Sequence, residues 1–174
     1  SVDIEFDLLT ATKSANILIV AVPGKYLSDT ARKFNLDNQV KVLSATKGIE
    51  AKSGLTSSEI LSNLWDLQPN RVAVLSGPNF AKEVAKGFPS ASVVASTSEE
   101  LGKEIQALLS TETFRVYRTT DVKGVEIGSV LKNVVAIGAG IVEGLGFGAN
   151  SIAALVVRGI EESRRLIAAL GADE

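Results

Sequence analysis

Acid–base chemistry has few candidate side chains in this 174-residue chain, which contains neither histidine nor cysteine. Without cysteine there is no disulfide, no thiolate nucleophile and no thiolate metal site. Without histidine there is no Ser-His-Asp or Cys-His triad and no imidazole-bound zinc. The acidic residues show no clustering suited to magnesium or calcium, so no metal is expected. Proton transfer near neutrality then falls to Lys, Tyr, Asp or Glu. Among these Lys132 has the most informative surroundings. At about 100° per residue along a helix, its face carries Val125, Gly128, Ser129, Val135, Ala136 and Ala139, and the opposite face carries Ile127, Val130, Val134, Ile137 and Ile141. The bulky face suits a core, whereas the small residues around the lysine leave room for a ligand. The same pattern also suits close helix packing, with the lysine stem running out to solvent. Burial beside a second cation such as Lys47 would lower the pKa of Lys132 toward the range a general acid or base needs.

The elements that must position these lysines follow from the apolar pattern. Residues 16–22 form a continuous apolar run ended by Pro23-Gly24, as expected of a parallel strand buried on both faces. Further strands are expected at 40–44, 71–75 and 91–96, with a last alternating one at 114–117. Helices are expected at 26–33, 56–65, 80–86 and 98–109, and a short amphipathic helix near 3–13. Thr56 and Glu59 have capping-box spacing, and Ser98 precedes an acidic first turn. Strands alternating with helices imply an α/β fold: a Rossmann-like, mostly parallel sheet with helices on both faces. The pattern changes after Asp121 to two long helical stretches, 122–143 and 151–170. Residues 1–118 therefore read as part of a sheet domain and 119–174 as the start of an all-helical one.

Ligands on open parallel sheets bind beyond the carboxyl ends of the strands. Three such exits carry small residues: Val22-Pro23-Gly24, Ala45-Thr46-Lys47-Gly48 and Ser76-Gly77-Pro78-Asn79. Lys47 adds a positive charge, and Asn79 is placed to cap the helix after it. These residues also serve as ordinary turn formers, with Lys47 a solvated charge. The Gly144–Ala149 segment matches G-x-G-x-x-A, but it follows a helix rather than a strand and is read as a helix–helix turn. The pairs Glu161/Arg164, Glu161/Arg165 and Glu162/Arg165 are read as a solvated salt-bridge face.

The net charge is −2, from 18 basic and 20 acidic residues, and no basic stripe is present, so neither nucleic acid nor an anionic membrane surface is an expected partner. The run 130–142 is interrupted by Lys132-Asn133 and is shorter than the roughly 20 residues of a membrane span. The chain opens with acidic residues where a signal peptide would be basic, which suggests a cytoplasmic location.

Several segments, in order and spacing across nearly the whole chain, resemble NAD(P)-dependent glycerol-3-phosphate dehydrogenases of the bacterial type. They are Ile19-Val20-Ala21-Val22-Pro23, Ala45-Thr46-Lys47-Gly48-Ile49-Glu50, Leu75-Ser76-Gly77-Pro78-Asn79-Phe80-Ala81, Gly124-Val125-Glu126-Ile127-Gly128, Leu131-Lys132-Asn133-Val134-Val135-Ala136 and Gly144-Leu145-Gly146-Phe147-Gly148. The resemblance implies an oxidoreductase that interconverts sn-glycerol 3-phosphate and dihydroxyacetone phosphate with NAD or NADP and feeds phospholipid synthesis. It implies that Lys132 is the catalytic acid/base and also contacts substrate. Lys47 would contact both substrate and cofactor, Gly77 and Asn79 substrate, and Ala81 and Tyr26 cofactor. Ala149-Asn150-Ser151 departs from the Asp-Asn-Thr common in the family. The family's Gly-rich pyrophosphate turn would lie before Ser1 and its later substrate segments beyond Glu174, so this chain alone is expected to be incomplete for activity. A related lysine-dependent hydroxyacid dehydrogenase and a non-catalytic binding remnant are the alternative readings. The expected partners are the small-molecule substrate and a second copy of the chain in a homodimer.

Overall fold

The computed structural model describes residues 3–37 and 39–172. In chain order the elements are α1 (Leu8–Thr12), β1 (Ile17–Val20), a 3-10 turn (Gly24–Tyr26), α2 (Leu27–Ala31), β2 (Lys41–Ser44), α3 (Ser57–Trp65), a second 3-10 turn (Pro69–Arg71), β3 (Val72–Ser76), α4 (Ala81–Ala85), β4 (Ser90–Ala95), α5 (Glu99–Leu109), β5 (Phe114–Thr119), α6 (Val122–Gly144) and α7 (Ala149–Ala169). The strands form one sheet in the order β1-β2-β3-β4-β5. β1, β2 and β3 run parallel, β4 is antiparallel to β3, and β5 is parallel to β4.

Because successive strand residues point to opposite faces, neighbours along β2 enter different cores. Val42 packs with Leu27, Phe34, Ile60, Leu61 and Trp65 beneath α2 and α3. Leu43 joins Ala73, Val94, Val116, Leu101 and Ile105 beneath α5. The sheet is thus covered on both faces, as the alternation of strands and helices requires. Two helix starts follow from local chemistry. Thr56 and Glu59 form the full capping box of α3, and the Ser98 side chain accepts from the Leu101 N–H to start α5.

Four expectations are corrected. β1 is not buried on both sides: it pairs with β2 alone among the described residues, and Ile19 is 51% exposed. Apolar patterning reports the surroundings a strand is built for, and one edge of that strand has no partner among the described residues. The first helix is limited to Leu8–Thr12, where the Asp7 side chain accepts from the Thr10 N–H and sets its start. Ile4 and Phe6 lie outside it and are exposed.

The bulky face of α6 is a core only at its beginning. Ile127 is buried, but Val134, Ile137 and Ile141 are each more than half exposed. α6 packs on β3 and β4 early in its length and then runs on against α7, which has no fully buried residue. Gly159 of α7 lies so close to α6 that an added Cβ would fall 2.6 Å from a Val135 methyl. Part of the small-residue face around Lys132 therefore serves helix packing. The helix is also longer than the apolar run within it, and by length and composition alone it is long enough to cross a membrane. Here its first turns are buried in protein through Gly124, Glu126, Ile127 and Ser129.

Fourth, Asn79 does not cap the helix that follows it. Phe80 is the N-cap of α4 and makes no side-chain capping bond. The Asn79 amide points instead across to β4, donating to Ser92 Oγ at 3.4 Å. The expected salt-bridge face is present on α7, where Glu161 pairs with Arg164 and Arg165, and Glu162 with Arg165.

Candidate active site at the strand exits

Parallel pairing of β1, β2 and β3 puts the three small-residue exits at one end of the sheet. Side-chain and backbone contacts then draw them together. Thr46 Oγ1 donates to the Val22 carbonyl at 2.9 Å, joining the second exit to the first. Gly24 lies so close to this loop that an added Cβ would stand 2.7 Å from the Lys47 carbonyl oxygen. A cleft of about 480 Å³ opens beside these turns, lined in part by Gly24, Ser28, Thr46, Lys47, Glu50 and Ser57. Tyr26 sits in the 3-10 turn after β1, half exposed, with Lys25 Nζ 4.6 Å from its ring centre.

The third exit is joined to β4. An added Cβ on Gly77 would lie 2.6 Å from Ser92 Oγ, 2.7 Å from the Ala91 carbonyl oxygen and 2.8 Å from Ser92 Cα. Backbone atoms on the far side cannot swing away as a flexible side chain can. Gly77→Ala is therefore expected to push the β3 exit off β4 and to cost about 1–3 kcal/mol of stability, as overpacking does. Thermal unfolding checks this: an unchanged Tm would mean that the β3–β4 end relaxes freely.

Lys132 reaches this end of the sheet from α6. Its Nζ donates to the Gly77 carbonyl at 3.1 Å, bridging 55 residues of sequence. Its surroundings lower its pKa below the ordinary lysine range, first through burial and then through the charge of Lys47. Lys47 itself is exposed at the β2 exit. Lys132 thus lies between α6 and the sheet, with a cation beside it and a carbonyl oxygen holding its ammonium. On its other side, Gly128, Lys132 and Val135 face Ile160, Ser163 and Ile167 of α7 across a groove of about 550 Å³. The small residues around the lysine therefore leave open space as well as close packing.

The structure brings together Lys47, Gly77 and Lys132, with Asn79 and the exposed Ala81 on the loop and helix that continue from Gly77. Tyr26 shares the same sheet end but does not contact the lysine pair through any hydrogen bond or ring contact among the described residues. The Gly144–Ala149 segment joins α6 to α7, far from any strand-to-helix turn in the chain order. It is a helix connection and offers no dinucleotide cradle.

Sequence reasoning missed one group. Glu126 is buried beneath α6, and both of its carboxyl oxygens accept hydrogen bonds from the start of α3. The available signal was the run Thr56-Ser57-Ser58, which has more hydroxyls than a capping box needs.

The comparisons with known proteins identify the family. Residues 1–102 match the family model described as NAD-dependent glycerol-3-phosphate dehydrogenase N-terminus, and residues 121–174 match the corresponding C-terminus model. A glycerol-3-phosphate dehydrogenase [NAD(P)+] of Thermobifida fusca is 42% identical over 97% of this chain and 51% of its own length. One from Salmonella paratyphi B is 44% identical over 98% of this chain and 51% of its own length. The crystal structure of glycerol-3-phosphate dehydrogenase from Coxiella burnetii superposes with a TM-score of 0.88 at 32% identity, covering 96% of this chain and 51% of that one. The chain spans about half the length of the curated relatives it matches. It belongs to the NAD-dependent glycerol-3-phosphate dehydrogenase family.

Proposed function

We propose that this chain carries the proton-transfer centre and part of the cofactor site of an enzyme that reversibly reduces dihydroxyacetone phosphate to sn-glycerol 3-phosphate with NAD or NADP. The observation that carries this reading is the placement of Lys132 against the Gly77 carbonyl with Lys47 as its cationic neighbour, at the carboxyl ends of parallel strands. That is where ligands bind on open α/β sheets. We assign residues 1–118 to the cofactor-binding unit and 119–174 to the start of a helical substrate unit. Lys132 is a residue of the second unit that reaches into the first.

The residues present suit the reactive end of a nicotinamide cofactor. Lys47 offers an exposed positive charge at the β2 exit, and Gly48 beside it has open space where a side chain would stand. When bound, the nicotinamide supplies the hydride for reduction or takes it up in oxidation. Tyr26, Lys47 and Ala81 are assigned to the cofactor. Gly77, Asn79, Lys47 and Lys132 are assigned to the substrate.

The proton then follows from the charge states available to Lys132. As an ammonium, it stabilises the negative charge that develops on the ketone oxygen and donates a proton to it, leaving a neutral amine. In the reverse direction the neutral amine takes the hydroxyl proton. A lysine with an ordinary pKa is almost wholly protonated near neutrality and is a poor base there. Burial and the Lys47 charge both shift the balance toward the neutral form. The positive charge of Lys47 attracts the anionic phosphate ester.

A hydride-transfer assay on the whole protein tests this, following nicotinamide absorbance with dihydroxyacetone phosphate and each reduced cofactor in turn. Turnover with this ketone, and none with non-phosphorylated 2-keto acids, is the expected result. The opposite preference would overturn the assignment.

A further inference from the structure

Glu126 is 7% exposed, yet it forms no ion pair among the described residues. Its partners are neutral. Oε1 accepts from Ser57 Oγ at 2.7 Å and from the Ser58 N–H at 2.9 Å, and Oε2 accepts from Ser58 Oγ at 2.5 Å. Burying a carboxyl group without a cation costs more than burying an apolar side chain of similar size. Stability alone therefore does not explain its presence between two helices.

The connections of this carboxyl run to both lysines. Ser57 and Ser58 open α3, and the Ser58 N–H is one of the helix-end donors with no partner inside its own helix. Glu59 occupies the Thr56 N–H of the same helix end at 2.8 Å, so the carboxyl from α6 completes an N-terminus already half-capped from within. Ser57 Oγ also meets Ser44 Oγ at 2.8 Å, at the end of β2 and three residues before Lys47. In the other direction, Glu126 and Lys132 are six residues apart on one rigid helix, about 9 Å of rise. One buried carboxyl thus ties the helix that carries Lys132 to the strand exit that carries Lys47.

We infer that Glu126 is a positioning residue for the reaction: through Ser57, Ser58 and Ser44 it sets the register of α6 against the β2 exit and so holds Lys132 beside Lys47 and the Gly77 carbonyl. This rests on the function proposed above. The charged groups near Lys132 are Lys47 on the β2 exit and, across the groove, Arg164 of α7, which pairs with Glu161. Only Lys47 belongs to the unit that the Glu126 contacts fix.

The test uses the whole protein and the variants Glu126→Ala, Glu126→Gln and Ser58→Ala, each checked for folding by circular dichroism. Glu126→Ala is expected to lower kcat by about 10²-fold, the scale of a roughly 1 Å misplacement of a reacting group. KM for dihydroxyacetone phosphate should change far less. Glu126→Gln keeps one acceptor oxygen and should recover part of the loss, with Ser58→Ala falling between it and wild type. Independently of turnover, NMR titration of the Lys132 side chain should give a higher pKa in Glu126→Ala, because the lysine is freed from Lys47. Folded variants with wild-type kcat and an unmoved Lys132 titration, differing only in Tm, would overturn the positioning role. If Glu126→Ala does not fold, the same two readouts on Glu126→Gln and Ser58→Ala decide it. Failure of the functional reading itself would look different: Lys132→Ala would then turn over normally in an otherwise wild-type protein.

Discussion

Replacing Lys132 with alanine in the whole protein is expected to lower kcat for ketone reduction by roughly 10²–10⁴-fold, the usual loss on removing a general acid or base. Alanine offers neither a positive charge to the developing alkoxide nor a proton to end the step. The Gly77 carbonyl loses its 3.1 Å partner but stays at a half-exposed position where water can replace it. The fold should therefore survive, which circular dichroism would verify. Cofactor affinity should change little, because Lys132 is assigned to the substrate carbonyl; fluorescence titration with the reduced cofactor measures this. A folded Lys132→Ala enzyme with near-normal kcat would place the proton carrier elsewhere and leave Lys132 as a structural tether to Gly77.

Lys47→Met should affect binding and turnover together, by about 10²–10³-fold in kcat/KM, the scale of losing one preorganised electrostatic contact. It should also move the pH profile, and the sign follows from the causes acting on Lys132. Burial lowers the pKa of Lys132 most, and the Lys47 charge lowers it further. Removing that charge raises it. In the oxidation direction the active form is the neutral amine, so the onset of activity should shift to higher pH. In the reduction direction the active form is the ammonium, so activity should persist to higher pH than in wild type. Profiles of kcat/KM in both directions measure the shift. Loss of affinity without movement of either limb would show that Lys47 acts on the ligands alone.

Local features were legible in the sequence. The apolar runs gave the strands, and the Thr56/Glu59 spacing gave the start of α3. Each depends on residues close together in the chain. The reading stopped where a residue's fate depends on something distant. Glu126 and Ser58 are 68 residues apart, and no spacing rule links them. The bulky face of α6 had the right period for a core, but periodicity does not say how far a helix stays in contact with the sheet. Asn79 had the right side chain and position for a cap. It turned to Ser92 because β4 runs antiparallel beside β3, a pairing that alternating strands and helices do not disclose. β1 had the composition of an interior strand yet lies at an edge among the described residues.

The plain strand order has a consequence for how the molecule comes into being. Among the described residues each strand's neighbours in the sheet are also its neighbours along the chain, so these five strands can pair one after another in the order of synthesis, without waiting for a later one to insert between earlier ones. Short-range pairing of this kind favours rapid folding. Among the described residues, the core around Trp65 draws on positions from Leu18 to Val72, which can close while the rest of the chain is still emerging. Lys132 belongs to the first element after the last strand. Its partner Gly77 lies 55 residues earlier in the chain, so the proposed proton carrier is expected to dock late, onto a platform already begun.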